Sequence, residues 1–411
     1  MTDMSIHLLD LYDSNILLGN SEQLVQNPGI AVWTGKEYQF GDAAWPLQKA
    51  QPGLTLSRFW MQPSIEALSP KIGDARHHAD LIHAHLNYLS RGEEKTVLVS
   101  VPGHYSDDQL SLLLGILQAT SLKPHRLIHR SAIQAAFHGG GKRLLHIEVH
   151  LQQLVISEIH EVDGERIVKR STCVAGQGIL PLRDRILHQV NKSFIEQTRY
   201  DALRSGKDEQ FLSDQLTSLD LNADHELMEF KCGGHIATLS FAQLKHAFQP
   251  IVDVITRFNP ENAHVLIEDH GYGCQRFFPE HWRATSVSQR AVLQNIDQIV
   301  ALSENYDSYT LIDKFPIQSH GIENNQDVLV ATDKLSLKLM GLRNHRAVNL
   351  VEWLALNAPN STLHGSELLL STSAPELITV NGRLVTQRQT LRAGDKLNIN
   401  GAMMTVIELE E

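Results

Sequence analysis

The pattern of apolar and polar positions is clearest between residues 96 and 138, where two periods alternate. Val97–Val101 is a short apolar run rich in β-branched residues, which is typical of a buried strand. Ser106 and Gln109 then stand three apart, as in a capping box, and leucines follow at helical spacing (Leu110, Leu113, Leu114 and Leu117). The pattern therefore predicts a strand followed by a helix.

A second strand and a second helix follow directly. We expect Lys123-Pro124 to end the first helix, because proline has no backbone N–H to continue it. Arg126–His129 is then a predicted strand and Ser131–Phe137 a predicted helix. Two strand–helix units in succession favour a mostly parallel sheet covered by helices, so the sequence predicts an α/β fold.

The elements up to the end of this run are followed by a similar order of elements after residue 138. Upstream, a helix at Arg76–Ser90 follows a loop-rich insertion at 42–75 and three short strands (Ile6–Asp10, Asn15–Leu18 and Ile30–Trp33). Downstream, the predicted strands are Leu144–Val149, Leu154–His160, Arg166–Thr172, Leu227–Phe230, His235–Leu239 and His264–Ile267. The predicted helices there run from Pro181 to Glu196, across Asp201–Asp224, from Ser240 to Phe258 and across Ser286–Glu304. The repeated order indicates a duplicated architecture.

Two segments resemble the ATPase domain of the 70-kDa heat-shock chaperones. Val101–Gln109 stands in place of the family's Val-Pro-Ala-Tyr-Phe-Asn-Asp-Ala-Gln, and His125–Phe137 is similar to its Leu-Arg-Ile-Ile-Asn-Glu-Pro-Thr-Ala-Ala-Ala-Leu. The resemblance implies a two-lobed actin-like (ribonuclease-H-like) ATPase fold over residues 1–305. Lobe I would span about 1–138 and lobe II about 139–305, with the ATP site in the cleft between them.

The character of the sequence changes after residue 305. Residues 306–325 are predicted to be a linker and 326–411 a small C-terminal β-sandwich domain. Ile378–Val385 and Leu391–Ile399 resemble the closing strands of a forkhead-associated domain, with tight turns at Asn-Gly and Gly-Asp. A generic β-sandwich and a chaperone-type peptide-binding β domain remain open as alternatives.

The motifs that bind phosphate in this chaperone family are altered here. The first loop, Asp-Leu-Gly-Thr-Thr-Asn in the family, begins at Asp10 but carries Tyr12 at the glycine position and Asp13 where phosphate would lie. The second loop, Asp-Leu-Gly-Gly-Gly-Thr in the family, begins at Glu148 and has His150 in place of its first glycine. Bulky side chains would fill the space in which backbone N–H groups meet phosphate.

Two further positions depart from the family. Arg130 falls at the metal-side glutamate, which reverses the charge, and residues 268–272 replace the adenosine loop without its paired glycines. We hypothesise that Arg130 pairs with Asp10 or Glu148 across the cleft, a burial that requires hydrogen bonds to offset desolvation. The alternatives are that the two carboxylates hold a cation or are polar residues at strand ends.

Charge and residue usage exclude several classes of function. The formal net charge of −11 argues against broad binding to nucleic acid or anionic membranes. The cysteines (Cys173, Cys232 and Cys274) are far apart, as expected of reduced thiols in the cytoplasm. No basic N-terminal region precedes an apolar core, and no apolar run is long enough for a membrane span.

Other candidate motifs are weak. The segment of residues 138–143 lacks the spacing of a phosphate-binding P-loop, and histidines on one predicted helix (His77, His78, His83 and His85) lack zinc-ligand spacing, so we expect no metal site. Phosphothreonine recognition by the C-terminal domain would require a loop arginine and serine, for which the candidates are Arg343 with His345, or Ser361.

The sequence thus favours a non-catalytic pseudo-ATPase that binds protein partners as a scaffold or adaptor and needs no cofactor. The alternative is a divergent chaperone that binds ATP or ADP with Mg²⁺, and a metal-dependent hydrolase built on the histidines is a distant third. Six residues mark the degenerate nucleotide cleft: Asp10, Tyr12, Asp13, Arg130, Glu148 and His150.

Overall fold

The structure is a computed structural model, and its chain divides into two compact units, Met1–Ile322 and Glu323–Glu411. In the first unit it describes residues 6–20, 23–138, 140–217, 227–270, 272–306 and 309–318. In the second unit it describes nine strands and Leu391.

The described elements of the first unit are as follows, in chain order. The strands are β1 (His7–Asp10), β2 (Ile16–Gly19), β3 (Leu24–Asn27), β4 (Ala31–Trp33), β5 (Tyr38–Phe40), β6 (Thr55–Leu56), β7 (Lys95–Val101), β8 (Leu122–His129), β9 (Arg143–Val149), β10 (Gln153–Val162), β11 (Glu165–Ala175), β12 (Leu227–Cys232), β13 (His235–Ser240), β14 (His264–Glu268), β15 (Arg283–Ser286), β16 (Leu311–Ile312) and β17 (Lys314–Pro316). The α-helices are α1 (His78–Ser90), α2 (Asp107–Gln118), α3 (Arg130–Phe137), α4 (Ile179–Thr198), α5 (Gly206–Thr217), α6 (Phe241–Thr256), α7 (Gln289–Gln294) and α8 (Ile296–Ser303). Single 3₁₀ turns lie at Gly41–Ala43, Trp45–Leu47, Pro52–Leu54, Pro260–Asn262 and Cys274–Phe277.

Two six-stranded mixed sheets share the order of five of their strands, and the sixth strand lies at opposite edges. In the first sheet, β1, β2 and β3 form an antiparallel meander, and β7, β8 and β16 continue in parallel on the other side of β1. In the second sheet, β9, β10 and β11 form the meander, and β14 and β15 continue in parallel on the other side of β9. The α/β class predicted from the sequence is therefore correct.

The apolar side chains of β7 point to both faces of the first sheet, and helices pack against each face. Val97 and Val99 point to the face that packs against α1 and α2, and Leu98 points to the face that packs against α3 and α8. Because strand side chains alternate, a strand that carries apolar residues on both of its faces is covered on both sides. A second large core joins the second sheet to α4 and α6.

The segment around Asp313 joins both large sheets. Strand β16 pairs in parallel with β8 at the edge of the first sheet, and β17 pairs antiparallel with β11 at the edge of the second. Ile312 and Phe315 are buried in the core on the α3 side of the first sheet. Residues 311–316 lie within the predicted linker of 306–325, yet they form these two strands.

Two small sheets complete the described part of the first unit. Strands β5, β4 and β6 form one of them, where the sequence predicted a strand at Ile30–Trp33 and a loop-rich insertion at 42–75. Strands β12 and β13 form the other, a ribbon around Gly233-Gly234 as predicted. The inward residues of β12 and β13 join the core of the second large sheet.

The second unit contains antiparallel strands. They are β18 (Leu339–Arg343), β19 (Arg346–Asn349), β20 (Ser361–His364), β21 (Glu367–Leu370), β22 (Ile378–Val380), β23 (Arg383–Leu384), β24 (Arg388–Thr390), β25 (Lys396–Ile399) and β26 (Ala402–Glu408). Six form the sheet β19-β18-β26-β25-β22-β23 and three form β20-β21-β24. Strands β22 and β23 pair around the predicted Asn-Gly turn, whose own residues 381–382 lie outside the described part of the chain, as do 394–395.

Two predicted helices differ from the structure. The helix expected over Ser286–Glu304 is replaced by the end of β15 at Ser286 and by two helices that are separated at Asn295. The helix expected over Asp201–Asp224 is shorter in the described residues, where α5 spans Gly206–Thr217, and residues 218–226 lie outside them. Pro124, expected only to end a helix, lies inside β8 next to a register shift at Val97 and Leu98.

Candidate functional site

Arg130 lies at the point where the two large sheets face each other. It is the first residue of α3, directly after β8, and only 2% of its surface is exposed. Its guanidinium forms a bidentate pair with Asp10, through distances of 2.5 Å to Oδ1 and 2.8 Å to Oδ2. It also donates to Glu148 Oε1, and to Glu268 Oε2 at 2.8 Å. The structure thus brings Arg130 to both carboxylates named in the sequence hypothesis and adds a third.

These carboxylates come from different sheets. Asp10 ends β1 in the first sheet, whereas Glu148 and Glu268 lie side by side near the ends of β9 and β14 in the second. Arg130 therefore cross-links the two sheets by ion pairs that are almost wholly buried. Burying charge is costly unless each group is paired and hydrogen-bonded, and the fork-shaped guanidinium meets that condition.

Tyr12 occupies the first glycine position of the compared phosphate loop. Its hydroxyl lies 2.8 Å from the carbonyl oxygen of Val149 and 2.9 Å from that of Glu268, so it donates to the second sheet. Its ring packs against the guanidinium of Arg130, 4.6 Å from the ring centroid. Ser14 donates to the same Val149 carbonyl at 2.6 Å. The turn after β1 is thus held directly against the end of β9.

Asp13 takes the hydrogen bonds that an external anion would need. Its Oδ1 accepts from the backbone N–H of Leu151 at 2.8 Å and lies 2.9 Å from Nδ1 of His150. From the sequence, Asp13 was expected to place an unfavourable negative charge in the phosphate position. The structure shows instead that the backbone N–H of Leu151 and the side chain of His150, both in the second turn, stabilise this carboxylate.

The second turn is closed on its other side by α4. The first N–H groups of this helix donate to carbonyl oxygens of the turn, Ile179 to His150 at 2.8 Å and Leu180 to Leu151 at 2.9 Å. Gly178 precedes the helix, and a Cβ there would clash with the His150 carbonyl, so only glycine allows this approach. The helix N-terminus is therefore satisfied by protein groups.

Burial and neighbouring charges shift several pKa values in this cluster. Burial lowers the pKa of His150, but the Asp13 and Glu148 carboxylates more than compensate and raise it to about 9, so His150 carries a positive charge at neutral pH. Burial raises the pKa of Glu268 to about 8, with Arg130 opposing the shift and Asp10 and Glu148 adding to it. Burial lowers the pKa of His146 to about 3, so His146 is neutral.

Sequence reasoning missed two participants. Glu268 was noted only as part of the altered adenosine loop, although its place at the end of a predicted strand was a usable signal. Gln289 donates to Asp10 Oδ2 and to the Asn15 carbonyl, both at 2.8 Å. No signal in the sequence marked Gln289, because the residue was assigned to the first turn of a single predicted helix.

The other candidate residues form no catalytic arrangement among the described residues. His85 is buried, where it accepts from the Trp60 indole at 3.0 Å and contacts Asn27 Oδ1 at 2.9 Å. His129 accepts a backbone bond at Nδ1, so its Nε2 carries the proton and faces Ser171 as a donor, not as a base. No cluster of His, Cys, Asp or Glu in the described chain is suited to hold a metal ion.

The candidates in the C-terminal unit are only partly described. Arg343 lies in β18 and Ser361 in β20, whereas His345 lies outside the described residues. The phosphothreonine hypothesis therefore stays a prediction.

Comparison with known proteins gives no independent assignment. No model of a protein family matches the chain, and no curated protein matches it. Within the described residues, no helix combines the length and the apolar character that crossing a membrane requires.

Proposed function

We propose that this chain is a non-catalytic, actin-like pseudo-ATPase of the cytoplasm that acts as a scaffold or adaptor for protein partners. Two observations support an actin-like fold with two lobes. The large sheets share the order of five of their six strands, and the turns that follow their first strands, β1 and β9, meet at one place. The resemblance of Val101–Gln109 and His125–Phe137 to the heat-shock chaperone ATPases points the same way.

The observation that carries the loss of catalysis is the occupied cleft. Arg130 provides the positive charge of a metal ion between Asp10, Glu148 and Glu268. Asp13 provides the negative charge of a phosphate group at the N–H of Leu151. A nucleotide would have to displace both, and phosphate would then face unpaired buried carboxylates. A protein held in one arrangement by its own side chains fits a binding role better than a cycle of nucleotide states.

Nucleotide binding is tested by thermal unfolding of the full chain with ATP or ADP and Mg²⁺. A ligand at one hundred times its dissociation constant stabilises the folded state by about 2.7 kcal/mol, which a melting experiment resolves easily. We expect no change in melting temperature up to millimolar nucleotide. A saturable rise, or release of phosphate from ATP, would support the divergent chaperone instead.

The scaffold role is tested on complexes isolated from the source cells with the tagged full chain. We expect specific partners to remain bound to the same extent in MgATP, in MgADP and after enzymatic removal of nucleotide. Recovery of no specific partner, or release driven by ATP, contradicts the proposal.

A further inference from the structure

A cavity of about 320 Å³ lies beside the Arg130 cluster. It opens at the carboxyl ends of the parallel strands β14 and β15, where open α/β sheets commonly bind ligands. Its buried wall consists of residues that belong to or contact the cluster (Tyr12, Asn15, Glu268, Asp269 and Gln289), and its outer wall of exposed residues (His270, Ser288 and Arg290). Its volume lies at the lower end of the range for small-molecule sites.

The buried charges next to the cavity are not balanced. Even with a proton on Glu268, which its raised pKa favours at neutral pH, the three carboxylates of Asp10, Asp13 and Glu148 face two cations, Arg130 and His150. His146 lies 3.8 Å from Glu268 Oε2 but contributes no charge, because burial keeps it neutral. Of the four acidic residues, Glu268 is the one that also lines the cavity. An additional cation can therefore reach the cluster from that side.

We propose that this cavity binds a small organic cation, a molecule with a primary ammonium or guanidinium group that pairs with Glu268. The inference goes beyond the scaffold function and does not depend on it. Amide and hydroxyl side chains of the walls offer further hydrogen bonds, from Gln26, Asn15 and Ser286. Arg290 is exposed, so water screens its charge at the outer wall.

The cation is organic and not a metal ion, because the described residues contain no cluster of metal-binding side chains. A phosphate-bearing ligand is disfavoured, because the inner wall presents the carboxyl groups of Glu268 and Asp269, which offer an anion no positive charge. Binding has a distinctive consequence. The raised pKa of Glu268 means that its carboxyl holds a proton at neutral pH, and a bound cation favours the ionised form. One proton should therefore leave the protein for each cation bound.

The test is titration calorimetry of the full chain with putrescine and agmatine, and with 1,4-butanediol as the uncharged counterpart of putrescine. We expect saturable binding of at least one cation, at least tenfold weaker binding of the diol, and a heat that varies with buffer ionisation as release of a proton requires. Binding of the diol as tight as that of putrescine, binding of Mg²⁺ or K⁺ alone, or no binding at all would overturn the proposal.

Two variants locate the site. Glu268→Gln removes the anionic partner, and Ser288→Phe fills the outer part of the cavity without touching the buried ion pairs. Each should weaken cation binding at least tenfold, and Ser288→Phe remains informative if Glu268→Gln folds poorly. The matched control is Asp253→Asn, which removes an exposed carboxylate of α6 that is bonded only to Gln249 and should leave affinity unchanged. Undiminished binding by Ser288→Phe, or equal losses in the control, would place the cation elsewhere.

Discussion

At the scale of single residues, Arg130 has a position that no other basic side chain could fill. Its planar fork binds Asp10 through two parallel hydrogen bonds and still reaches Glu148 and Glu268. A lysine carries the same charge but presents it as a point, so it cannot satisfy the three carboxylates in this geometry. The arginine therefore determines both the charge balance and the distance between the two sheets at this point.

Replacing Arg130 with glutamine should be severely destabilising. The variant leaves three buried carboxylates without their cation, and breaking a buried ion pair from one side costs about 3–5 kcal/mol. Arg170→Gln is the matched control. Arg170 lies in β11, is largely exposed and pairs with Glu158, so its replacement should lower the free energy of unfolding by about 0–1 kcal/mol. Urea unfolding of both variants measures the difference. A loss below about 1 kcal/mol for Arg130→Gln would show that the ion pairs do not join the sheets energetically.

The sequence revealed half of this cluster, for a physical reason. The charge reversal at Arg130 was visible beside two acidic strand ends, so pairing with Asp10 or Glu148 could be predicted. The contact with Glu268 depends on β14 lying next to β9, and residues 138 positions apart along the chain give no local signal of that contact. The contacts of Asp13 with His150 and Leu151 could not be predicted either, because they depend on how closely two turns approach each other.

At the scale of elements, the β12–β13 ribbon has both of its outer edges covered by glutamine side chains. Gln215 of α5 donates to the Lys231 carbonyl at 2.7 Å and accepts from its N–H at 2.9 Å. Gln197 of α4 does the same at Thr238, with distances of 2.9 Å and 3.0 Å. Each amide thus imitates the peptide group of a neighbouring strand, which protects edges that would otherwise pair with another chain.

We expect Gln215→Ala to destabilise the chain by about 1 kcal/mol and to promote self-association, because it exposes one N–H and one C=O on the edge of β12. The control is Gln249→Ala in α6, whose amide bonds only to the exposed side chain of Asp253. Sedimentation velocity and urea unfolding measure the two effects. If Gln215→Ala behaves like Gln249→Ala in both, the glutamine is not an edge cap.

Elements with local signals were predictable, and those that depend on neighbours were not. The capping boxes of Ser106 with Gln109 and Ser240 with Gln243 begin α2 and α6, and the first of them was identified from the sequence. Strands β16 and β17 span only two and three residues and exist because sheet edges are available to pair with them. No periodicity can be recognised in so few residues, so the sequence indicated only a linker.

At the scale of the whole molecule, the segment of β16 and β17 contributes to the stability of the first unit. Phe315 is fully buried, and its neighbours pair with the edge of the second sheet while β16 pairs with the first. Phe315→Ala should therefore cost about 3–5 kcal/mol. Tyr309→Ala is the control, because Tyr309 is 65% exposed a few residues earlier and should change stability by about 0.5 kcal/mol or less. A small effect of Phe315→Ala on urea unfolding would show that this segment only lies against the sheets.

Buried histidines should make the whole molecule sensitive to acid. Burial lowers the pKa values of His85, His104 and His146 to about 3 and that of His129 to about 4, each below the value expected in the unfolded chain. Between pH 6.5 and about 4 the unfolded state therefore binds more protons than the folded state. Each histidine then lowers the free energy of unfolding by up to about 1.4 kcal/mol per pH unit as pH falls.

Alkali should also destabilise the fold, through two groups with the opposite shift. His150 and Glu268 have pKa values raised to about 9 and about 8, so the folded state keeps protons that the unfolded state releases near pH 6.5 for His150 and near pH 4.5 for Glu268. Stability should therefore be greatest near pH 6.5 and fall on both sides, with the acid side steeper because more groups contribute.

Chemical unfolding measured from pH 4.5 to 9 checks this pH dependence of stability. His146→Gln should reduce the acid slope by about one proton, and His188→Gln, which replaces an exposed histidine of α4, is the matched control. A stability that stays level from pH 6.5 to 9 would mean that the cluster around Arg130 holds no extra proton, and it would also remove the basis for proton release on cation binding.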